Sequence, residues 1–260
     1  MNTFPASNQN ANKLIPDRAK LEIIVETFED VLAAAQGGAT QLDLKAHYPC
    51  SGVSPSAGII ARVLDALDSP VMVMVRPHAR SFIMSAEDIQ TACEEVKQAR
   101  HIGARNFLLG FLNSNSDLDV DGLQRIKEAA GDCDLHAHLA WELTRDPMKS
   151  LQQLIGLGFV SLRASGKTAS SGAFGGSVAQ AASTILEYKK LAAGKIAIFL
   201  AGGLNEDNIE QIIAETQIAN IHCGRSARTP ATAESPVDPY KVAILRSKQL
   251  NAVKEFISRS

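Results

Sequence analysis

The sequence predicts a single (β/α)₈ barrel, and three observations carry that prediction. Short apolar runs rich in β-formers alternate with longer amphipathic stretches, and they do so eight times. Strict alternation of strand and helix implies parallel strands. Eight such units in about 240 residues, with no GxGxxG turn after the first strand, favour a closed barrel. A doubly wound open sheet is the alternative.

The predicted strands are LEIIV (21–25), QLDLK (41–45), VMVMVR (71–76), FLLGFL (107–112), LHAHLA (135–140), VSLRAS (160–165), IAIFLA (196–201) and ANIHC (219–223). Between them run helices such as AEDIQTACEEVKQARHIGA (86–104) and DGLQRIKEAA (121–130), with Asp, Ser or Asn near their starts. The pairs Gly38-Ala39, Gly103-Ala104 and Leu157-Gly158 fall where helices should stop before the next strand. Residues 1–20 form a flexible lead without a signal pattern, and 21–260 form the barrel. The Gly- and Ser-rich stretch GKTASSGAFGGS (166–177) follows strand six and lacks P-loop order; it is read as a mobile lid or an unstructured insertion. A Pro-rich connection, AESPVDPYK (233–241), precedes the final helix.

Composition narrows the function classes. The chain has 45% hydrophobic and 21% charged residues and a net charge of −2, which offers no footprint for nucleic acid or a membrane surface. Its apolar runs fall far short of the roughly 20 residues that span a bilayer. Four cysteines are scattered without a CxxC, as expected of free thiols in a reducing cytoplasm.

Strand alternation sorts the side chains into two sets. Leu21, Ile23 and Val25, or Val71, Val73 and Val75, face the helices. The complementary set holds Glu22, Asp43, Lys45, Arg76, Ser161, Arg163, Ser165, Asn220 and His222. In CDLHAHLAWE (133–142), the same rule turns Cys133, Leu135, Ala137 and Leu139 outward and sends Asp134, His136, His138, Ala140 and Glu142 inward or to the rim. Cores of such barrels are usually filled by branched apolar side chains. Some of these polar groups should pair as a structural network, and the cluster at the C-terminal strand ends should be a ligand site.

The chain resembles the CutC family. The resemblance runs from about Leu21 to Arg228 and is carried by LEIIVETFEDVLAAAQGGA, GVSPSAGII, VMVMVRP, HLAWELTRDPMKSLQQLIGLGF, ASG, AGGLNEDNI and IHCGRSAR. It implies a (β/α)₈ barrel, a cytosolic location, a homodimer or larger homo-oligomer, and a link to copper homeostasis and copper binding. The family pattern picks out Glu22, Asp43, Arg76, His138, Glu142, Ser165 and His222. The chain departs from it at Lys45, where a cysteine is common, at RPHARSF in place of an Arg-Pro-Arg-Gly-Gly-Asp-Phe run, and at Leu139, where an arginine is expected.

Several chemistries fit these residues. Glu22, Asp43 or Glu142 can act as a base and His138 or His222 as an acid. Arg76 suits a carboxylate or phosphate. Gly202, Gly203, Gly224 and Arg225, in the loops after strands seven and eight, form either an anion site or two ordinary tight turns. Lys45 forms either a Schiff base with a carbonyl substrate or an ion pair with Asp43, Glu22 or Glu142. Copper would take Cys50 with His47 or His78. Cys93, Cys133 and Cys223 read as small buried hydrophobes. A divalent ion could use His136, His138 and His222 with Glu22 or Asp43, although no metal-ligand spacing marks them. The leading expectation is a pocket for a small anionic metabolite with acid–base chemistry and no required cofactor. A non-catalytic copper-trafficking protein and a Schiff-base lyase or aldolase using Lys45 are the alternatives.

Overall fold

In the computed structural model, which describes residues 19–166 and 178–259, eight parallel strands close on themselves in sequence order. The strands are β1 (Leu21–Val25), β2 (Gln41–Leu44), β3 (Val71–Met74), β4 (Asn106–Leu109), β5 (Asp134–Ala137), β6 (Ser161–Ala164), β7 (Ala197–Ala201) and β8 (Ile221–Cys223). The helices between and after them are α1 (Phe28–Gln36), α2 (Ala57–Ala66), α3 (Ala86–Ile102), α4 (Val120–Ala130), α5 (Pro147–Leu157), α6 (Ala182–Ala192), α7 (Ile209–Thr216) and α8 (Pro239–Arg259). The fold is a (β/α)₈ barrel. Most of the N-terminal lead (1–18) and of the 166–177 loop (167–177) lies outside the described residues.

Local chemistry explains the helix limits. Thr27 caps α1, accepting from the Asp30 N–H. Ser85 and Asp88 form a reciprocal capping box on α3. Gly103 (φ 119) and Gly158 (φ 80) end α3 and α5 in left-handed conformations that a side chain would strain. The helix-facing residues Leu21, Ile23 and Val25 are fully buried and share one apolar core with Val31 and Ala34 of α1. Among the described residues, no helix is long and apolar enough to cross a membrane.

Strand five is shorter than the alternation suggested. Pairing ends at Ala137, and residues Leu139–Leu143 form a 3-10 turn. The turn starts because the His138 ring accepts the Ala140 N–H at 3.1 Å. Strands three and four also end early, at Met74 and Leu109. The residues beyond them enter loops, so period-two reasoning does not apply to Arg76 or Glu142. The seam between β8 and β1 pairs Glu22 with His222 and sets them side by side.

Candidate functional site

The barrel interior holds two polar regions of different character. Deeper down, Glu22 is fully buried and surrounded by donors. Arg163 grips its carboxylate through Nε at 2.8 Å and through Nη2. Gln41 donates at 2.5 Å, and His222 Nδ1 lies 2.5 Å from Oε1. Burial opposes the charge on Glu22. The Arg163 guanidinium and the hydrogen bonds from His222 and Arg163 outweigh it and hold the carboxyl far below its usual range. Nearby, His136 Nδ1 lies 2.7 Å from Ser161 Oγ and Nε2 lies 3.2 Å from Asn106 Oδ1. Burial, then the Arg163 charge, pushes His136 down to about 3, so its ring is neutral at ordinary pH. This region is a saturated network.

Above it lies a cavity of about 250 Å³ at the C-terminal ends of the strands. Asp43, Lys45, His138, Arg163, His222 and Arg225 reach it, as do Gly202, Gly203 and Gly224. Lys45 Nζ sits 2.7 Å from Asp43 Oδ2 as an ion contact. Neither Asp43 oxygen receives a directed hydrogen bond among the described residues. The Lys45 stem is packed close under Gly52, where an added Cβ would stand 2.5 Å from Lys45 Cδ and 2.7 Å from Met74 Sδ. Only a glycine (φ 85) permits that contact.

The two mouth histidines are oriented by different partners. His222 donates its Nδ1–H to Glu22, a carboxylate that only accepts, which leaves Nε2 toward the cavity and 3.9 Å from Asp43. His138 uses Nδ1 to accept the Ala140 N–H, so its proton resides on Nε2. That Nε2 is buried without a hydrogen-bond partner among the described residues. Burial, followed by the charges of Lys45, Arg76 and Arg163, holds His138 well below its ordinary value, hence neutral. Gly110 makes room for the ring, since a Cβ there would come 3.1 Å from His138 Cε1.

Other sequence candidates sit elsewhere. Arg76 does not line the cavity. Its guanidinium donates to the carbonyls of Cys50 (2.9 Å), Gly52 (2.8 Å) and Ala79 (3.2 Å) and stacks on Phe82, so it braces two loops. Glu142 accepts from the Ser165 N–H and hydroxyl and from the Gly166 N–H (2.8 Å), fixing the two residues that follow β6. Glu142 and Ser165 therefore bond to each other at the end of β6 and do not line the cavity. His47 and Cys50 are exposed, and His78 is 3.2 Å from Asp88 of α3. These three do not converge. The group of potential metal ligands that does converge among the described residues is Glu22, Asp43 and His222, an oxygen–nitrogen set without a thiol.

Arg163 carries more of the site than the sequence candidates recognised. Its inward parity in VSLRAS was the available signal, and its role as the counter-charge of Glu22 follows only from the three-dimensional pairing. Tyr48 is a second addition. It lies against Gly224, where a Cβ would meet its hydroxyl at 2.0 Å, and it borders the cavity. Leu139, in the expected arginine's place, also lines the wall. Cys223 reaches the cavity too, but burial pushes its thiol up to about 12, which disfavours a thiolate.

Comparison with known proteins gives a consistent set of relatives. A model of the CutC family matches residues 19–227. A CutC family protein of Pasteurella multocida is 30% identical over 203 residues, covering 78% of this chain and 80% of its own. One from Bacteroides thetaiotaomicron is 32% identical over 205 residues, covering 78% and 79%. Among solved structures, CutC of Streptococcus agalactiae, a protein assigned to copper homeostasis, superposes with a TM-score of 0.73 at 23% identity, covering 79% of this chain and 98% of that one. Thiamine phosphate pyrophosphorylase of Pyrococcus furiosus matches at a TM-score of 0.58 and 16% identity, over 92% and 98% of the two chains, a likeness of barrel alone.

Proposed function

The chain belongs to the CutC family, and from that premise we propose that its barrel mouth binds a small anionic metabolite and moves a proton on it. The observation that carries this reading is the Glu22–His222 contact of 2.5 Å, which fixes the ring and leaves Nε2 open to the cavity. A carboxylate that orients a histidine in this way prepares the far nitrogen as a general base. Asp43 and Lys45 stand beside it, and His138 offers an Nε2–H to an oxygen that gains charge.

Charge supports an anionic ligand. Arg163 is matched by Glu22 and Lys45 by Asp43. Arg225 lines the cavity with no ion-pair partner among the described residues. Gly202 (φ 87) and Gly203 (φ 73) add backbone without side chains to the same wall, where an anion can approach closely.

Among the described residues, no thiol-bearing ligand set supports the copper link of the family. Cu(I) favours thiolate and thioether donors. Cys93 is buried on α3, Cys133 is half-buried, Cys50 is exposed, and no cysteine joins a convergent ligand group among the described residues. In the oxygen–nitrogen group, Arg163 and Lys45 already neutralise the two carboxylates.

The test combines ligand and proton readouts. Thermal-shift screening against carboxylated and phosphorylated small metabolites should give hits that Arg225→Ala weakens about tenfold, corresponding to ~1.4 kcal/mol. A hit incubated in D₂O should exchange a carbon-bound proton with the wild type and not with His222→Gln. Stoichiometric copper retained by the purified protein and lost on replacing Cys50, without any metabolite binding, would overturn the reading in favour of copper trafficking.

A further inference from the structure

Two buried ion pairs face the barrel interior, and they differ in how far they are satisfied. Glu22 receives Arg163, Gln41 and His222, and its charge is fully answered. Lys45 has Asp43 alone as its ion-pair partner, at 2.7 Å, and Asp43 receives no directed hydrogen bond among the described residues. Lys45 is only 5% exposed and borders the cavity, with its stem pressed under Gly52. A lysine amine at a cavity wall attacks a carbonyl carbon once a proton is removed from it, and an adjacent carboxylate is placed to relay that proton.

We propose that Lys45 forms an imine with the carbonyl group of an anionic aldehyde or ketone bound at the barrel mouth. The inference rests on the preceding reading of the pocket and adds the substrate's reactive group. The Lys45 ammonium gives one proton to Asp43, and the freed Nζ lone pair forms a C–N bond as the carbonyl π pair moves onto oxygen. The Nε2–H of His138 donates a hydrogen bond to that oxygen as charge develops. Asp43 passes the first proton to the oxygen, then takes a second from nitrogen and delivers it to the resulting hydroxyl. The C–O bond breaks, water leaves, and the nitrogen pair closes the C=N bond. Of the three ammonium protons, two leave in water and one stays on the iminium nitrogen, so charge is conserved and no oxidant or reductant is consumed.

The experiment incubates the full chain with pyruvate, glyoxylate, dihydroxyacetone phosphate or glyceraldehyde 3-phosphate, adds borohydride, and maps the adduct by mass spectrometry. At least one probe should give a single reduced adduct on the peptide containing Lys45. Lys45→Arg, which keeps the charge beside Asp43 but has no nucleophilic amine at neutral pH, should lose that adduct while its melting behaviour stays close to wild type. If the probes shift the melting temperature but leave no adduct, the imine is wrong and the anion pocket stands. If they neither shift it nor react, both readings fall. An adduct spread over surface lysines and undiminished in Lys45→Arg also overturns the imine.

Discussion

The deep and the mouth regions of this barrel contain the same kinds of residue and use them in opposite ways. Around Glu22, every strong group has found a partner: Arg163 twice, Gln41, His222, and His136 between Ser161 and Asn106. Around Asp43, a carboxylate has a close ion contact with Lys45 and a longer one with His222 but no directed hydrogen bond, and His138 keeps an Nε2 without a hydrogen-bond partner among the described residues. Saturation makes a charged cluster structural, because every group it holds already has its bonds. Incomplete satisfaction leaves hydrogen-bonding capacity that a ligand or a water molecule can use. The contrast teaches that burial and charge alone do not separate scaffold from site; what separates them is the balance of donors and acceptors.

The sharpest way to break this contrast is to remove Glu22. Glu22→Ala leaves Arg163 buried and uncompensated, and should cost about 3–5 kcal/mol in urea denaturation. The double replacement Glu22→Gln, Arg163→Met should recover most of that loss, as expected where a buried pair adds little net stability over neutral groups. A Glu22→Ala protein of wild-type stability would show that the deep network is not structural.

Acid should act next. His136 is held at about 3 in the folded chain against an ordinary value of 6.5, so the unfolded state binds a proton that the folded state refuses. The contribution is intact above 6.5 and is lost as pH falls toward 3, at about 1.4 kcal/mol per pH unit. His138, also depressed, acts in the same direction. Urea midpoints measured from pH 7 to 4.5 should fall steeply in the wild type and less steeply in His136→Gln. A flat profile would contradict the neutral buried ring.

The barrel was legible in the sequence because alternation of strands and helices and of inward and outward residues are both periodic signals. Glu22, Asp43, Lys45 and His222 could be placed on the inner face because they lie on strands or at their ends. Parity failed where strands stopped. Arg76 follows β3 by two residues and turns to brace loops, and Glu142 lies in the 3-10 turn after β5. The pairing of Glu22 with Arg163 was not legible either, since it joins residues 141 apart through the barrel interior.

The smallest effect belongs to the mouth. Asp43→Asn combined with Lys45→Met removes both charges and should leave stability within about 1 kcal/mol of wild type, or raise it, while abolishing ligand response. Calorimetric melting checks the first half and ligand-induced shifts the second. A large destabilisation would place Asp43 and Lys45 with the structural network.

The seam between β1 and β8 has a consequence for timing. Glu22 and His222 are 200 residues apart and meet only when the last strand docks against the first. Contacts of such long range form late and slowly in folding. A nascent or partly unravelled chain can therefore possess nearly the whole barrel and still have an imidazole with no carboxylate to aim it. The proposed proton transfer would begin at the moment the ring is completed, and its onset in refolding would report closure more directly than any spectroscopic measure of helix content.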